Sequence, residues 1–406
     1  MKKLIFCFCF FIQSLIFTNA LFAQEKVLFK FKHQKDDASS YVSIVEEDVF
    51  YNGYLSHHSQ IVNRISSIIH DVDKDGTAQV TANYMTTEDS VSNFSKTALS
   101  WGTENTSNFK RKSDGELIIS DSLFMPTVRN VPLFPKYEVG IGETWTAKGK
   151  EVHDMRSYFN MTEPLIIPFE AKYKYVGNTN INNKNLCVID VDYEFFFQNT
   201  KDKIAKGSLF LATAGYSKQR LYWDQENGIL DHYTEEFRIK MSDVYNNLVE
   251  FRGVSKAEIT QAKFSNSKKN VEKLQKTVEN LKLKDVNIKE GSKGLTISIE
   301  NIQFEPDSAV LLDSEKKKLD LIATLLQDFS NDILITGHCA ERGSESARQV
   351  LSEQRAESVA SYLKQLGVRD AYHIFSQGKG STEPIASNAT EEGRKKNRRV
   401  EIIVLN

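Results

Sequence analysis

Cysteine is the first scarcity. Apart from Cys7 and Cys9 near the start, the 406 residues hold only Cys187 and Cys339, too few and too widely separated for a disulfide framework. A second long apolar run is also missing. After LIFCFCFFIQSLIF at residues 4–17, no stretch reaches the roughly eighteen residues a membrane helix needs. There is no basic surplus either. The formal net charge is −2, and residues 290–406 carry 15 Lys and Arg against 18 Asp and Glu, which excludes the electrostatic footprint of a nucleic-acid binder. No nucleophile, base and orienting group stand together, so the chain offers no catalytic residue and no cofactor, and it does not read as an enzyme.

What is present begins with a targeting signal. Lys2 and Lys3 precede the apolar run, and small residues follow at Ala20 and Ala23, the three-part plan of a secretory signal peptide over residues 1–23. Cleavage after Ala23 makes Gln24 the first mature residue, with Ala20 as the alternative. Cys7 and Cys9 lie too early for lipid attachment, so an exported soluble product is expected. The remaining length suffices for two or three domains with their own cores.

Residues 24–262 read as an antiparallel all-β domain. In PFEAKYKYVG, Phe169, Ala171, Tyr173 and Tyr175 fall on one face and Glu170, Lys172 and Lys174 on the other. Ile189, Val191, Tyr193, Phe195 and Phe197 repeat the plan, opposite Asp190, Asp192 and Glu194. Asn227-Gly228 between two alternating runs predicts a hairpin, because that pair tolerates positive φ. Apolar-out, polar-in alternation is also the pattern of a transmembrane barrel, so a porin-like outer-membrane β-barrel with a periplasmic anchor is the alternative. Interrupted apolar faces, uneven strand lengths and charged clusters such as EKVLFKFKHQKDD favour a soluble β-sandwich or curled sheet.

Two motifs here resemble sites without completing them. DVDKDG spaces Asp71, Asp73, Asp75 and Gly76 like the first half of a calcium loop, but the twelfth position is Ala82, so a hairpin turn is expected instead. Gly140-Ile141-Gly142 is a turn signal, and the adjacent His57 and His58 lack metal-ligand spacing. Strand patterning then stops. Residues 263–289 form a helical linker whose Val271, Leu274, Val278 and Leu281 make two heptads, predicting a short helix against one of the domains rather than a coiled-coil dimer.

In residues 290–406 the period alternates between two and near four, predicting a small mixed sheet with helices packed on it, an α/β domain. GLTISIENIQF, DILITGH, AYHIFSQG and RRVEIIVL read as strands. One helix begins near Asp313 or Ser314 with Leu319, Ile322, Ala323, Leu326 and Phe329 as its stripe. A second carries Leu351, Arg355, Val359, Leu363 and Leu366 and stops at Gly367. Arg355 therefore lies in line with an apolar face, where a guanidinium needs an internal carboxylate or an anionic ligand.

The ordered motifs IQFEPDSAVL, GHCAERG, LSEQRAESVASYL, GKGSTEP and GRKKNRRVEI resemble the OmpA-like domain shared by outer-membrane protein A, the peptidoglycan-associated lipoprotein and flagellar stator proteins. The resemblance implies noncovalent peptidoglycan binding that anchors the chain, or an outer-membrane or periplasmic protein partner, to the cell wall. The expected location is the periplasm, in association with the wall and outer membrane. Arg355 matches the family arginine that holds a stem-peptide charge, and Asn397, Arg398 and Arg399 match residues near the same groove. The family aspartate is replaced by Ala340 and a family asparagine by Arg348. Glu341 or Glu345 are the candidates to supply the lost carboxylate. His338, matching a family histidine, is expected to be a hydrogen-bonded structural residue rather than a metal ligand.

Overall fold

The computed structural model describes residues 26–90, 99–161, 163–261, 268–281, 283, 285–291, 293–305 and 308–405; the expected signal peptide lies outside them. In chain order the first elements are β1 (Ala38–Tyr51), β2 (Tyr54–Val72), β3 (Ala78–Ser90), β4 (Leu99–Ser100), β5 (Thr103–Arg111), β6 (Leu117–Ile118), β7 (Val128–Arg129) and β8 (Thr144–His153). After the short α1 (Arg156–Phe159) come β9 (Leu165–Ile181) and β10 (Lys184–Gln198). The one-turn α2 (Lys201–Ala205) precedes β11 (Phe210–Asp224), β12 (Ile229–Asp243) and β13 (Leu248–Gln261).

All of these strands except β4 pair antiparallel in one sheet of order β6-β5-β3-β2-β1-β13-β12-β11-β10-β9-β8-β7. The sheet curls until its ends approach, and the Leu117 N–H of β6 donates to Asn130 Oδ1 just beyond β7 at 2.9 Å. It is a curled sheet, not a sandwich of two. Period-two patterning sets its faces. Ile167, Phe169, Tyr173, Ile189, Val191 and Tyr193 are buried inside, whereas Glu170, Lys172, Lys174, Asp192 and Glu194 are exposed outside. The interior is aromatic: Phe169 stacks on Tyr193 at 3.9 Å and Trp145 on Tyr173 at 4.9 Å. The segment before β1 enters this interior. Val27 bridges Val139, Phe29 is 1% exposed against Phe134 and Trp145, and Phe31 meets Trp223 edge-on.

DVDKDG is the β2–β3 turn, with Gly76 at φ +84°, and Asn227-Gly228 turns β11 into β12, with Gly228 at φ +65°. Both fit the hairpin reading.

The remaining elements are α3 (Lys268–Asn280), β14 (Val286–Gly291), β15 (Gly294–Glu300), α4 (Asp313–Leu326), β16 (Ile333–His338), α5 (Glu345–Gln365), β17 (Ile374–Gly378), α6 (Glu391–Asn397) and β18 (Arg399–Leu405). The second sheet has the order β14-β15-β18-β16-β17-β4, so the last strand comes from the amino-terminal part and runs parallel to β17. One face is covered by helices: Ile297, Ile335, Ile374 and Ile402 join Leu319, Ile322, Val359 and Leu363 in a single core. Leu274 and Val278 of α3 enter the same core, and so do Val286 and Ile288 of β14, a strand that begins within the range expected to be a helical linker. The opposite face meets the curled sheet. There Leu334, Phe375, Ile403 and Leu405 pack against Val42, Val62 and Met85.

Among the described residues no helix is long and apolar enough to cross a membrane, which says nothing about strands. Cys187 and Cys339 are free and buried.

Candidate functional site

The site is built where β16 and β17 end under α5. Gly337 and Gly378 pair across the two parallel strands, and α5 lies directly on them. A Cβ on Gly337 would sit 2.2 Å from the Ser352 carbonyl oxygen, and one on Gly378 would sit 2.5 Å from Ser352 Oγ. Close approach therefore requires glycine at both positions. Polar clamps fix the register. Ser352 Oγ donates to the Gln349 carbonyl at 2.8 Å and accepts from the Gly380 N–H at 2.8 Å, while Gln349 Nε2 donates to the Gly378 carbonyl at 2.9 Å.

This contact rotates α5 relative to its hydrophobic pattern. Its buried residues are Ser352, Ala356, Val359, Ala360 and Leu363, whereas Leu351 is half-buried and Leu366 is 37% exposed. The expected stripe is thus corrected at its ends: Val359 and Leu363 are buried as expected, but Ser352, Ala356 and Ala360, not Leu351 and Leu366, complete the buried face. Arg355 falls at the edge of the buried face. Its Cζ lies 4.8 Å from the Phe304 ring centroid and its Nε donates to the Ser308 carbonyl at 3.4 Å. The side chain is half-buried, and an open groove lined by Ser308, Val310, Gln354, Ser358 and Tyr362 runs beside it.

The loop from Cys339 to Ser344 connects β16 to α5. The Cys339 N–H donates to the Gly380 carbonyl at 2.7 Å, Gly343 turns the chain at φ +83°, and Ser344 caps the helix by accepting from the Ala347 N–H at 3.3 Å. Glu345 is exposed in the first turn, where its charge complements the helix dipole. Burial pushes the Cys339 thiol up, and Arg355 and Arg348 both lie close enough to pull it back, so two cations face this loop. Arg348 also donates to the Gly343 carbonyl at 2.5 Å. Ala340, at the family's aspartate position, is 6% exposed.

The other candidate residues are brought to the loop unequally. Glu341 is exposed, and its backbone N–H donates to Asn388 Oδ1 at 3.3 Å. Asn397 reaches the same Oδ1 at 2.8 Å, so the two are joined through Asn388, which the sequence reading missed. Asn397 is 1% exposed and also accepts from the Ile385 and Ala386 N–H groups at 2.8 and 3.0 Å and donates to the Ala386 carbonyl at 2.8 Å. Its hydrogen-bonding capacity is spent on shaping the 385–388 loop. Arg398 pairs with Glu391 at 2.8 Å on the surface. Arg399 is 3% exposed and donates to Glu401 at 3.0 Å and to the Glu383 carbonyl at 3.2 Å, turned into the sheet and away from solvent.

His338 is buried opposite Arg399 in the ladder, with neither ring nitrogen hydrogen-bonded; the closest carboxylate, Glu401, is 3.8 Å away. The hydrogen-bonded imidazole expected there is not what is found. Burial first, and the Arg399 charge second, hold its pKa down at about 4, so the ring is neutral. Among the described residues no cluster of three or more potential ligands could hold a metal ion.

Residues 303–398 match the model of the OmpA family. The chain is 45% identical over 104 residues to the peptidoglycan-binding protein ArfA of Mycobacterium tuberculosis, covering 25% of this chain and 32% of that relative. It is 35% identical over 121 residues to the outer-membrane lipoprotein YfiB of Pseudomonas aeruginosa, covering 28% of this chain and 71% of the relative. Among solved structures, the cell wall anchor of the T6SS from Pseudomonas aeruginosa is 31% identical, covering 32% of this chain and 94% of that one, with a TM-score of 0.29. These likenesses all fall on a limited part of the chain, and it spans less than half the length of ArfA. Through the domain that carries Arg355, the chain belongs to the OmpA family.

Proposed function

We propose that this is an exported envelope protein that binds peptidoglycan noncovalently through its carboxy-terminal domain and tethers the curled β-sheet, or a partner held by it, to the wall on the periplasmic side of the outer membrane. The role is binding and structural, not catalytic. One observation carries this reading: Arg355 lies 4.8 Å from the Phe304 ring centroid and hydrogen-bonds Ser308, which lines an open groove, near the loop that the family resemblance implies holds a stem-peptide charge. A guanidinium has the planar geometry for a two-oxygen grip on a carboxylate. Arg348 adds a second cation to the loop, and with alanine at 340 the amino group of the stem peptide is read weakly or by Glu341 or Glu345. Asn397 and Arg399 support the loop from beneath, and Arg398 fixes α6 to its own first turn.

The experiment is co-sedimentation with purified sacculi, with a parallel titration against stem peptides that differ only in the diamino acid. The parent pellets and Arg355→Ala stays in the supernatant. An Arg355→Ala protein that pellets as well as the parent refutes the site. For the porin alternative, the outward charges of β9 and β10 weigh against lipid contact, since such residues are costly on a lipid-facing strand. Release of the mature chain by high salt or osmotic shock without detergent would rule the barrel out.

A further inference from the structure

We propose that the curled amino-terminal sheet encloses a binding site for a small organic anion, a carboxylate or phosphate on an apolar body, with Arg111 as its anchor. Arg111 ends β5 two residues after Phe109, so it shares the inward face on which Val80, Tyr84 and Phe109 cluster. Its Cζ lies 5.0 Å from the Phe31 centroid and 5.6 Å from that of Phe109, so the cation rests against two rings. Tyr84 and Tyr41 are close enough to act on its charge, and enclosure pulls its pKa below the ordinary range. Yet among the described residues no carboxylate lies within 4.0 Å of it and its N–H groups make no hydrogen bond.

A guanidinium stays charged at any physiological pH, and enclosing it unpaired is unfavourable. Arg111 is only half-buried, so its N–H edge is reachable by a ligand while its rings and neighbours enclose the rest. The neighbouring polar groups do not neutralise it. Tyr84 is 4% exposed and its hydroxyl has no hydrogen-bond partner among the described residues. Tyr41 already donates to the Leu230 carbonyl at 2.8 Å. His33 Nδ1 lies 2.9 Å from the Gly76 carbonyl and must donate to it, burial lowers the ring's pKa and so disfavours its charged form, and Nε2 is buried with no hydrogen-bond partner among the described residues. Asp231, the carboxylate that acts on Tyr41, is taken by Lys184 at 2.6 Å and His232 at 2.8 Å.

The ligand class follows from these groups. Two rings stand within 5.6 Å of the guanidinium carbon, and its N–H groups, which make no hydrogen bond among the described residues, are available to two oxygens of one oxyanion. The Phe31, Phe109 and tyrosine rings supply an apolar wall for the rest of the molecule. A hydrated arginine stacked on two rings is the competing state, and it predicts no ligand.

The test uses the mature full chain with benzoate, phenyl phosphate, inorganic phosphate and, as a cationic control, benzylamine. Calorimetry and tryptophan emission report binding, because one of the three tryptophans, Trp223, stands edge-on to Phe31 at 4.9 Å. Saturable binding of benzoate or phenyl phosphate at millimolar concentration or below is expected, with inorganic phosphate weaker and benzylamine silent. Arg111→Met weakens it at least tenfold with an unchanged circular dichroism spectrum and undiminished pelleting with sacculi. Tyr84→Phe, which removes only a hydroxyl, weakens it less and keeps the question decidable if the first variant fails to fold. Absence of saturable anion binding to the parent, or parental affinity in both variants, overturns the proposal.

Discussion

Arg64→Met tests what holds the two sheets together. Arg64 of β2 and Asp332, just before β16, meet at 2.7 Å with side chains 6% and 0% exposed. The second Asp332 oxygen is 2.8 Å from His373 Nδ1, and Arg64 also reaches Ser40 Oγ at 3.3 Å. Removing one member of a buried ion pair costs about 3–5 kcal/mol, because the other charge stays desolvated. His373 still contacts Asp332 in the variant, so the lower limit, about 3 kcal/mol, is the expected value. The assay is amide hydrogen exchange of Trp101 and the β17 backbone. The Trp101 N–H donates to the Ser376 carbonyl at 2.8 Å, a bond that exists only while β4 lies on β17. A loss of this size accelerates its exchange about a hundredfold, since each 1.4 kcal/mol is tenfold. Arg64→Met combined with Asp332→Leu removes the stranded charge and recovers most of the protection. Exchange within about threefold of the parent in the single variant, under 1 kcal/mol, refutes the reasoning.

The same junction has a pH window. Burial pushes the Asp332 carboxyl up, but the His373 hydrogen bond and the Arg64 charge outweigh it and leave the net pKa below its ordinary 3.8. That contribution is present above the unfolded value and is lost as pH falls through the folded one. Burial pulls His373 down, but Asp332 and the charges of Asp370 and Glu258 bring the net pKa above its ordinary 6.5. Its contribution is full below 6.5 and fades as pH rises through the raised value. Protection of the Trp101 amide is therefore greatest in mildly acid solution.

Asn397→Ala breaks four buried hydrogen bonds and strands the amides of Ile385 and Ala386; about 2–3 kcal/mol of destabilisation is expected by thermal unfolding, and a change below about 0.5 kcal/mol would count against the role assigned to this side chain. Gly337→Ala drives a Cβ into the Ser352 backbone, so a cost of at least about 1–3 kcal/mol and weaker pelleting with sacculi are expected together. His338, held at about 4, stays neutral at pH 5 in an NMR titration; stability contributed by its neutrality falls as pH drops from 6.5 towards 4, and a midpoint near 6.5 would contradict the burial described.

The strands around Phe169 to Tyr175 and Ile189 to Phe197 were legible because alternation survives wherever one face is apolar, whereas β14 begins inside the range that reads as linker. The unbroken buried run ILITGH announced a strand covered on both sides, but nothing local could say that β1, β2 and β3 cover the second. Val42, Val62 and Met85 form the outward patch on which the other domain sits, which no single strand's pattern announces. Strand β4 was invisible for another reason: two residues carry no periodicity, and its partner lies far along the chain. At the site, Arg355 could be picked out as a charge in line with an apolar stripe. Ser352 and Asn388 could not, because their work depends on glycine backbones and a loop that come together only in three dimensions.

The two faces of the second sheet divide the labour. Alternate residues point to opposite sides, so Ile333 and Ile335 contact the helices while Leu334 contacts the curled sheet. Arg355 and its groove belong to the helix side; the Arg64–Asp332 pair belongs to the other. If murein binds along α5 as proposed, the β4–β17 junction stays covered and the curled sheet stays attached. The proposed tether needs that compatibility: had both contacts used the same face, binding the wall would require releasing the part to be anchored.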